Sequence, residues 1–356
     1  MDETTLEAYF GRLAVPRPYT ADAVNLHVLH RAHQMRVPFE NLSIHLSEPV
    51  LLTEGVLVDK IVTRRRGGFC YELNGAFAIL LEAMGAEVRR VAARVYGCDG
   101  HAGPPLDHMA LVVRASDGSG PWLIDVGFGS HSVYPLLFDS RHEQNDPAGR
   151  FLLVDSGDGD VDVLKDGEPQ YRIEPQERSL ADFIPTCWWQ TTSPDSHFTR
   201  DIICSRLTKD GRVSIAGRTL IITENGSRAE QQLTGDDALL AAYREHFGII
   251  LDSVPQVMKA PSVAAPAAVP PGSPPAAPSS AAPAAVRPGS PPAPPSSAAP
   301  AAAPVRPVLS APPSGAGAGP SPLSGPSPVV SPGARESGFP DGVVVRETDA
   351  GRVELL

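Results

Sequence analysis

Cys70 lies in the stretch RRRGGFCYELNG, residues 64–75. Two glycines precede it, and a helical pattern follows: Leu73, Ala76, Phe77, Leu80, Leu81 and Met84 recur as one stripe, with Gly85 as the stop. A thiol that opens a helix lies over unpaired N–H groups at the positive end of the helix dipole, and both favour the thiolate. Arg64, Arg65 and Arg66 add positive charge nearby. A thiol nucleophile also needs a base, and the base needs an orienting group. His108 opens HMALVV, and Asp125 lies in WLIDVGFG, with the turn-forming cluster SDGSG between the two stretches. Folding that hairpin about Asp117–Gly120 brings His108 level with residues 125–127, within side-chain reach of Asp125. An aspartate amid Trp122, Leu123, Ile124 and Val126 calls for a partner, because burying an unpaired carboxylate is costly. A carboxylate on one imidazole nitrogen and a thiol at the other is the Cys-His-Asp version of the catalytic triad.

Plainer readings stand beside these. Cys70 could be a small buried hydrophobe, His108 a surface histidine at a strand end, and Asp125 the cap of the turn at Gly127. Cys98, Cys187 and Cys204 read as structural thiols, with no CxxC spacing for zinc or redox work. His27, His30 and His33 step by three and mimic a metal face, but no carboxylate or cysteine stands in register, so no metal is expected. His101 and His131 flank the site in sequence and compete with His108.

The elements that must hold these residues come in segregated order. YTADAVNLHVLHRAHQ reads as a helix with Thr20 as N-cap, ending before Pro38 of VPFENLSIHL. EGVLVDKIVTRR is a second helix, and the third starts at Cys70. After Gly85 the period becomes two, through EVRRVAARVYG, HMALVVRA, PWLIDVGFG, RFLLVDSG and VDVLKDG. SRLTKDGRVSIAGRTLIIT reads as a further hairpin, and DDALLAAYREHFGI as a closing helix capped by Asp236 or Asp237. Helices first, then strands, then a mixed region make an α+β fold rather than βαβ alternation. The expected division is a helical domain over 1–86, a strand domain over 87–190 and a small α/β domain over 191–259.

Beyond Pro261 the chain turns to Pro, Ala, Ser and Gly, and PGSPPAAPSSAAPAAVR at 271–287 nearly repeats at 288–304. Such a composition has too little apolar surface to offset chain entropy, so 260–340 is expected to be a disordered linker. Its PxxP spacings also fit a ligand for a proline-reading domain. GVVVRETDAGRVELL then offers a short β segment within 341–356. The net charge of −11 disfavours a nucleic-acid surface. No apolar run reaches membrane-spanning length, and the acidic start MDETTLEAYF lacks the pattern of a secretory signal. A cytoplasmic protein with no membrane or nucleic-acid partner is the expectation.

At these residues the chain resembles the arylamine N-acetyltransferase family. The resemblance is carried by VPFENLSIHL (37–46), DKIVTRRRGGFCYELNGAF (59–77), HMALVV (108–113), WLIDVGFG (122–129) and TTSPDSHFT (191–199), and it spans about 5–255. It implies a helical N-terminal domain, a β-barrel domain and a small α/β domain with a papain-like thiol site. It implies Cys70 as nucleophile, His108 as base and Asp125 as orienting group. Phe39, Phe128 and Gly129 match positions that line the acyl and arylamine pocket. Asn74 falls where the family approaches coenzyme A, and Arg66 with Glu40 would form a structural ion pair. The implied reaction is ping-pong: acetyl-CoA as co-substrate acetylates the thiol, and a small aromatic amine takes the acetyl group. An amide synthase acting on an aromatic-amine polyketide would keep the same triad. A cysteine-protease-type hydrolase is permitted by the triad alone, and an interaction protein working through its proline-rich tail would not need Cys70.

Overall fold

The computed structural model describes residues 1–18 and 20–257, and the backbone of 345–347 and 353–355. The expected linker at 260–340, and its docking to a proline-reading domain, lie outside the described residues. Met1–Ala264 form one compact unit and Ala265–Leu356 another.

The first unit opens with α1 (Glu3–Leu13) and α2 (Ala23–Arg36). Each is capped by an aspartate: Asp2 accepts the Thr5 N–H at 2.8 Å, and Asp22 accepts the Asn25 N–H at 2.9 Å. Thr20, the expected cap of α2, stands two residues too early and donates its hydroxyl to Asp22 instead. β1 (Phe39–Glu40), α3 (Leu42–His45) and α4 (Glu54–Val58) follow. The predicted second helix continues past α4 over Asp59–Thr63, where it is wound as a π-helix. α5 (Cys70–Ala83) stops at Gly85, whose φ of +87° suits only a residue without a Cβ. Every residue of α5 from Cys70 to Leu81 is buried, so this is a central helix, enclosed well beyond the one stripe read from its periodicity.

Eight antiparallel strands come next: β2 (Glu87–Val95), β3 (His108–Arg114), β4 (Trp122–Ile124), β5 (Leu136–Leu137), β6 (Gln144–Asp146), β7 (Gly149–Asp155), β8 (Val161–Lys165) and β9 (Glu168–Arg178). Their order, β5-β4-β3-β2-β9-β8-β7-β6, curls into a nearly closed barrel. The seam is bridged by a side chain: Gln144 accepts the Leu137 N–H at 2.7 Å and donates to the Leu137 carbonyl at 3.0 Å. Alternation along the strands separates two cores. Val91, Ala93, Ala110, Val112, Leu123, Phe151 and Tyr171 fill the barrel. Ala92, Met109, Leu111, Val113 and Ile124 point the other way and join the helical core with α5.

α6 (Ile184–Thr192) and α7 (His197–Arg200) lead to β10 (Ile203–Leu207), β11 (Gly211–Ala216), β12 (Thr219–Glu224), β13 (Ser227–Gln232) and α8 (Asp236–Phe247). β13 reads SRAEQQ and is exposed throughout, so no hydrophobic alternation marks it in the sequence. Asp236 and Asp237 lie in the first turn of α8, where they complement the dipole, while Gly235 holds the cap position they were expected to fill. The second sheet runs β1-β10-β11-β12-β13, with Phe39 opposite Ser205 and Glu40 opposite Cys204. The N-terminal segment thus supplies an edge strand to the C-terminal sheet. No described helix is long and apolar enough to cross a membrane. In the second unit, β14 (Val345–Glu347) pairs antiparallel with β15 (Val353–Leu355).

Candidate active site

Cys70 is the first residue of α5 and is 4% exposed. The loop before it is built by close approach rather than by a tight glycine turn. A Cβ on Gly67 would collide with the Pro38 carbonyl, and one on Gly68 with the Glu72 side chain. The left-handed residue is Arg65, at φ +53°. Glu40 N–H donates to the Gly68 carbonyl at 2.8 Å, which lays β1 beside the loop. Glu72 reaches back to the Phe69 N–H at 3.2 Å and is paired with Lys60 at 2.6 Å.

Arg66 grips Glu40 through two bonds, Nε to Oε1 at 3.0 Å and Nη2 to Oε2 at 3.2 Å, and reaches Glu48 at 3.1 Å. Glu40 also accepts the N–H groups of Gly67 and Leu42. Burial pushes Glu40 up, but Lys60 and Arg66 hold it below its ordinary value. The arginine run therefore does not serve the thiol as the sequence suggested. Arg66 is neutralised by two glutamates, and Arg64 is partly exposed against Glu48.

On the barrel side, Leu111 stands opposite Ile124 and Val113 opposite Trp122, the register of the predicted hairpin. β4 ends at Ile124, so Asp125 begins the turn beyond it. Asp125 Oδ2 lies 2.8 Å from His108 Nε2, and both side chains are buried. Asp125 Oδ1 accepts the Gly127 N–H at 3.0 Å and the Asn74 amide at 2.9 Å. The turn-capping reading and the imidazole-partner reading thus hold together, one on each oxygen. Burial pushes the Asp125 carboxyl up, yet His108 beside it and the bonds it accepts hold it well below the usual carboxylate range.

Asn74, placed by the resemblance near coenzyme A, is fully buried. Its NH₂ donates to the Met109 carbonyl at 2.6 Å and to Asp125, and its oxygen accepts the Val126 N–H at 2.9 Å. Both ends of the amide are used, so Asn74 ties α5 to the barrel. Gly127 completes the join: a Cβ there would sit 2.8 Å from Cys70 Cα. Burial pushes the Cys70 thiol up; the Met109 backbone N–H pulls it down, while Asp107 and Asp125 add to the rise. The helix start alone does not make this thiol a free anion.

Aromatic rings wall the site. Phe128 meets His108 edge-on at 5.4 Å, and Gly129, in a left-handed conformation at φ +92°, lies beside the Phe39 ring. Phe198 lies 6.3 Å from Phe39 and 5.1 Å from Phe69. Phe128 also borders a groove of about 360 Å³ with Val95, Tyr96, Cys98, Pro169 and Gln170. Cys98 is exposed there, which corrects its reading as a structural thiol, while Cys187 and Cys204 are buried. His131 is buried and stacks on Tyr171 at 5.2 Å, and Tyr171 lies 5.2 Å from His108. His101 is exposed near Asp99. Sequence reasoning named neither Phe198, which lay unread in TTSPDSHFT, nor Tyr171, which arrives by the pairing of β9 with β2 opposite Val95.

A thiol at the start of a buried helix, packed against a barrel that carries an imidazole–carboxylate pair, fits the layout of a cysteine-dependent acyl-transfer enzyme. The family profile described as N-acetyltransferase matches residues 22–257. The arylamine N-acetyltransferase of Escherichia coli K12 is 31% identical over 253 residues, covering 69% of this chain and 89% of that one. That of Mycolicibacterium smegmatis is 32% identical over 256 residues, covering 69% and 92%. The solved structure of the Mycobacterium marinum arylamine N-acetyltransferase in complex with CoA superposes with a TM-score of 0.63 at 31% identity, covering 68% of this chain and 92% of that one. The chain belongs to the arylamine N-acetyltransferase family.

Proposed function

We propose that the chain transfers acetyl groups from acetyl-CoA to small arylamines or arylhydrazines through an acetyl-Cys70 intermediate. The observation that carries this is the buried His108–Asp125 pair, 2.8 Å apart, on a hairpin packed against the helix that Cys70 opens. Burial disfavours a lone thiolate here, so the proton leaves Cys70 for His108 as part of an ion pair. Asp125 holds His108 through Nε2, leaving Nδ1 as the nitrogen able to take the thiol proton. The sulfur attacks the thioester carbonyl, the bond to the coenzyme A sulfur breaks, and His108 returns its proton to that sulfur. The amine then attacks acetyl-Cys70, His108 takes the N–H proton, and the Cys70 sulfur leaves. Phe39, Phe128 and Gly129, with Phe198, form the acyl and aromatic walls. Arg66 and Glu40 hold the loop that presents Cys70. A nucleophilic thiol must stay reduced, which suits the cytoplasm.

The test is CoA release from acetyl-CoA with and without a simple arylamine, in wild type and Cys70→Ala. Release is expected to need both Cys70 and the amine. Equal release in the variant would remove Cys70 from the reaction, and full-rate release without amine would indicate a hydrolase. An amide synthase would give no turnover with acetyl-CoA.

A further inference from the structure

The histidine stripe of α2 is not used by the reaction outlined above, yet its middle member touches the site. His30 is fully buried. Its Nε2 accepts the backbone N–H of Asp125 at 3.3 Å, and its Nδ1 lies 2.9 Å from the Val133 carbonyl. One turn further on, Gln34 donates to the Ser132 carbonyl at 2.9 Å. The segment 125–133, which carries Asp125, Gly127, Phe128, Gly129 and His131, is therefore held at both ends by α2. A backbone N–H can only donate and a carbonyl can only accept. With the Asp125 N–H on Nε2 and the Val133 carbonyl at Nδ1, which the Gln34 amide also approaches at 3.2 Å, the neutral ring carries its proton on Nδ1, since a charged ring would turn an N–H against the Asp125 N–H.

We propose that His30 is a positioning residue for acyl transfer, pinning the Asp125 backbone so that the carboxylate meets His108 and the Phe128–Gly129 wall keeps its place. This rests on the reading of Cys70, His108 and Asp125 as the reacting set. Burial pushes His30 down to about 4, against the pull of the Val133 carbonyl and of Asp125, with His27 on its own helix opposing its charge. The nearby His131, from the clamped segment, is likewise pushed down by burial, to about 3. His33 is the natural control. It is as buried as His30, bonds the Tyr9 hydroxyl at 3.1 Å and packs 4.9 Å from Phe77, with no bond to 125–133.

The experiment compares His30→Ala, His30→Gln and His33→Gln with wild type. It reads the pH profile of Cys70 alkylation by iodoacetamide, from the mass of the Cys70 peptide, together with kcat and the KM for acetyl-CoA. In His30→Ala, alkylation at neutral pH is expected to slow about tenfold, with its midpoint moved up, because a misplaced Asp125 no longer supports the imidazolium. The kcat should fall roughly 10- to 100-fold while KM stays within about twofold. His30→Gln, whose Oε1 can accept the Asp125 N–H, should recover much of the loss. His33→Gln should lower the melting temperature and leave the alkylation profile alone. A folded His30→Ala with a wild-type profile, or equal changes in the His30 and His33 variants, would overturn the proposal. Should His30→Ala not fold, the imidazole ¹⁵N shifts of wild type decide: His30 is expected to stay neutral and protonated at Nδ1 from about pH 8 to about pH 5. A charged or Nε2-protonated ring in that range would overturn it. Failure of the acetyl-transfer reading has a different signature: no Cys70-dependent turnover in wild type, with the contrast between the His30 and His33 variants intact in the alkylation profile.

Discussion

Two buried polar clusters flank Cys70, and they are built from different chemistry. On the helical side, Arg66 is matched by Glu40 and Glu48, and Lys60 by Glu72. The Arg66 guanidinium does not give up its proton, so its pairing with Glu40 and Glu48 fixes geometry. On the barrel side, the partner of Asp125 is an imidazole, and His30 and His131 stand close behind it. Imidazoles can be neutral, so that cluster can hold a proton or release it. The same need, compensation of a buried carboxylate, yields a clamp with a guanidinium and an acid–base device with a histidine.

That contrast can be broken one side at a time. Asp125→Asn keeps the size of the side chain and removes the charge from the barrel side, so kcat should fall roughly 10³- to 10⁴-fold with a near-native circular dichroism spectrum. Steady-state turnover checks it, and a loss under about tenfold would break the assignment. Glu40→Gln acts on the other side and leaves Arg66 buried with its main partner gone. It should lower unfolding free energy by about 3 kcal/mol in urea titrations, while the folded variant keeps the pH profile of Cys70 alkylation.

Acid should separate the clusters too. His30 and His131 are held neutral, pushed down by burial to about 4 and about 3. Between those values and about 6.5 the unfolded chain binds protons that the folded chain does not, so stability falls as pH falls through that window. From pH 7 to pH 5 the loss should be roughly 2 kcal/mol for each of the two rings. Glu40, held below its ordinary value, contributes stability that is lost only as pH falls through its lowered range. Urea titrations of wild type and His131→Phe at both pH values isolate the His131 share. The smallest effect is expected for removal of residues 261–356. The family profile ends at 257, and turnover should stay within about twofold.

Local pattern made part of this site legible. Cys70 stands where glycines meet a helical period, and the SDGSG turn fixes a register that brings His108 to Asp125. Contacts made across the chain were not legible. Tyr171 reaches the site only because β9 closes onto β2, and β1 joins a sheet whose next strand lies more than 160 residues away. Gly67 and Gly68 were visible ahead of Cys70, but not their cause: a Cβ would meet the Pro38 carbonyl at Gly67 and the Glu72 side chain at Gly68. Burial was the other blind spot. A helix start and three arginines argued for a ready thiolate, but Arg64 and Arg66 are paired with glutamates and the thiol is enclosed.

The central claim is that Cys70 itself carries the acyl group. Intact-protein and peptide mass spectrometry, after mixing with acetyl-CoA in the absence of amine, tests it most directly. A single acetyl group is expected on the Cys70 peptide, absent in Cys70→Ala and discharged when an arylamine is added. Acetylation at another residue, or amine acetylation that proceeds with Cys70 removed, would contradict it.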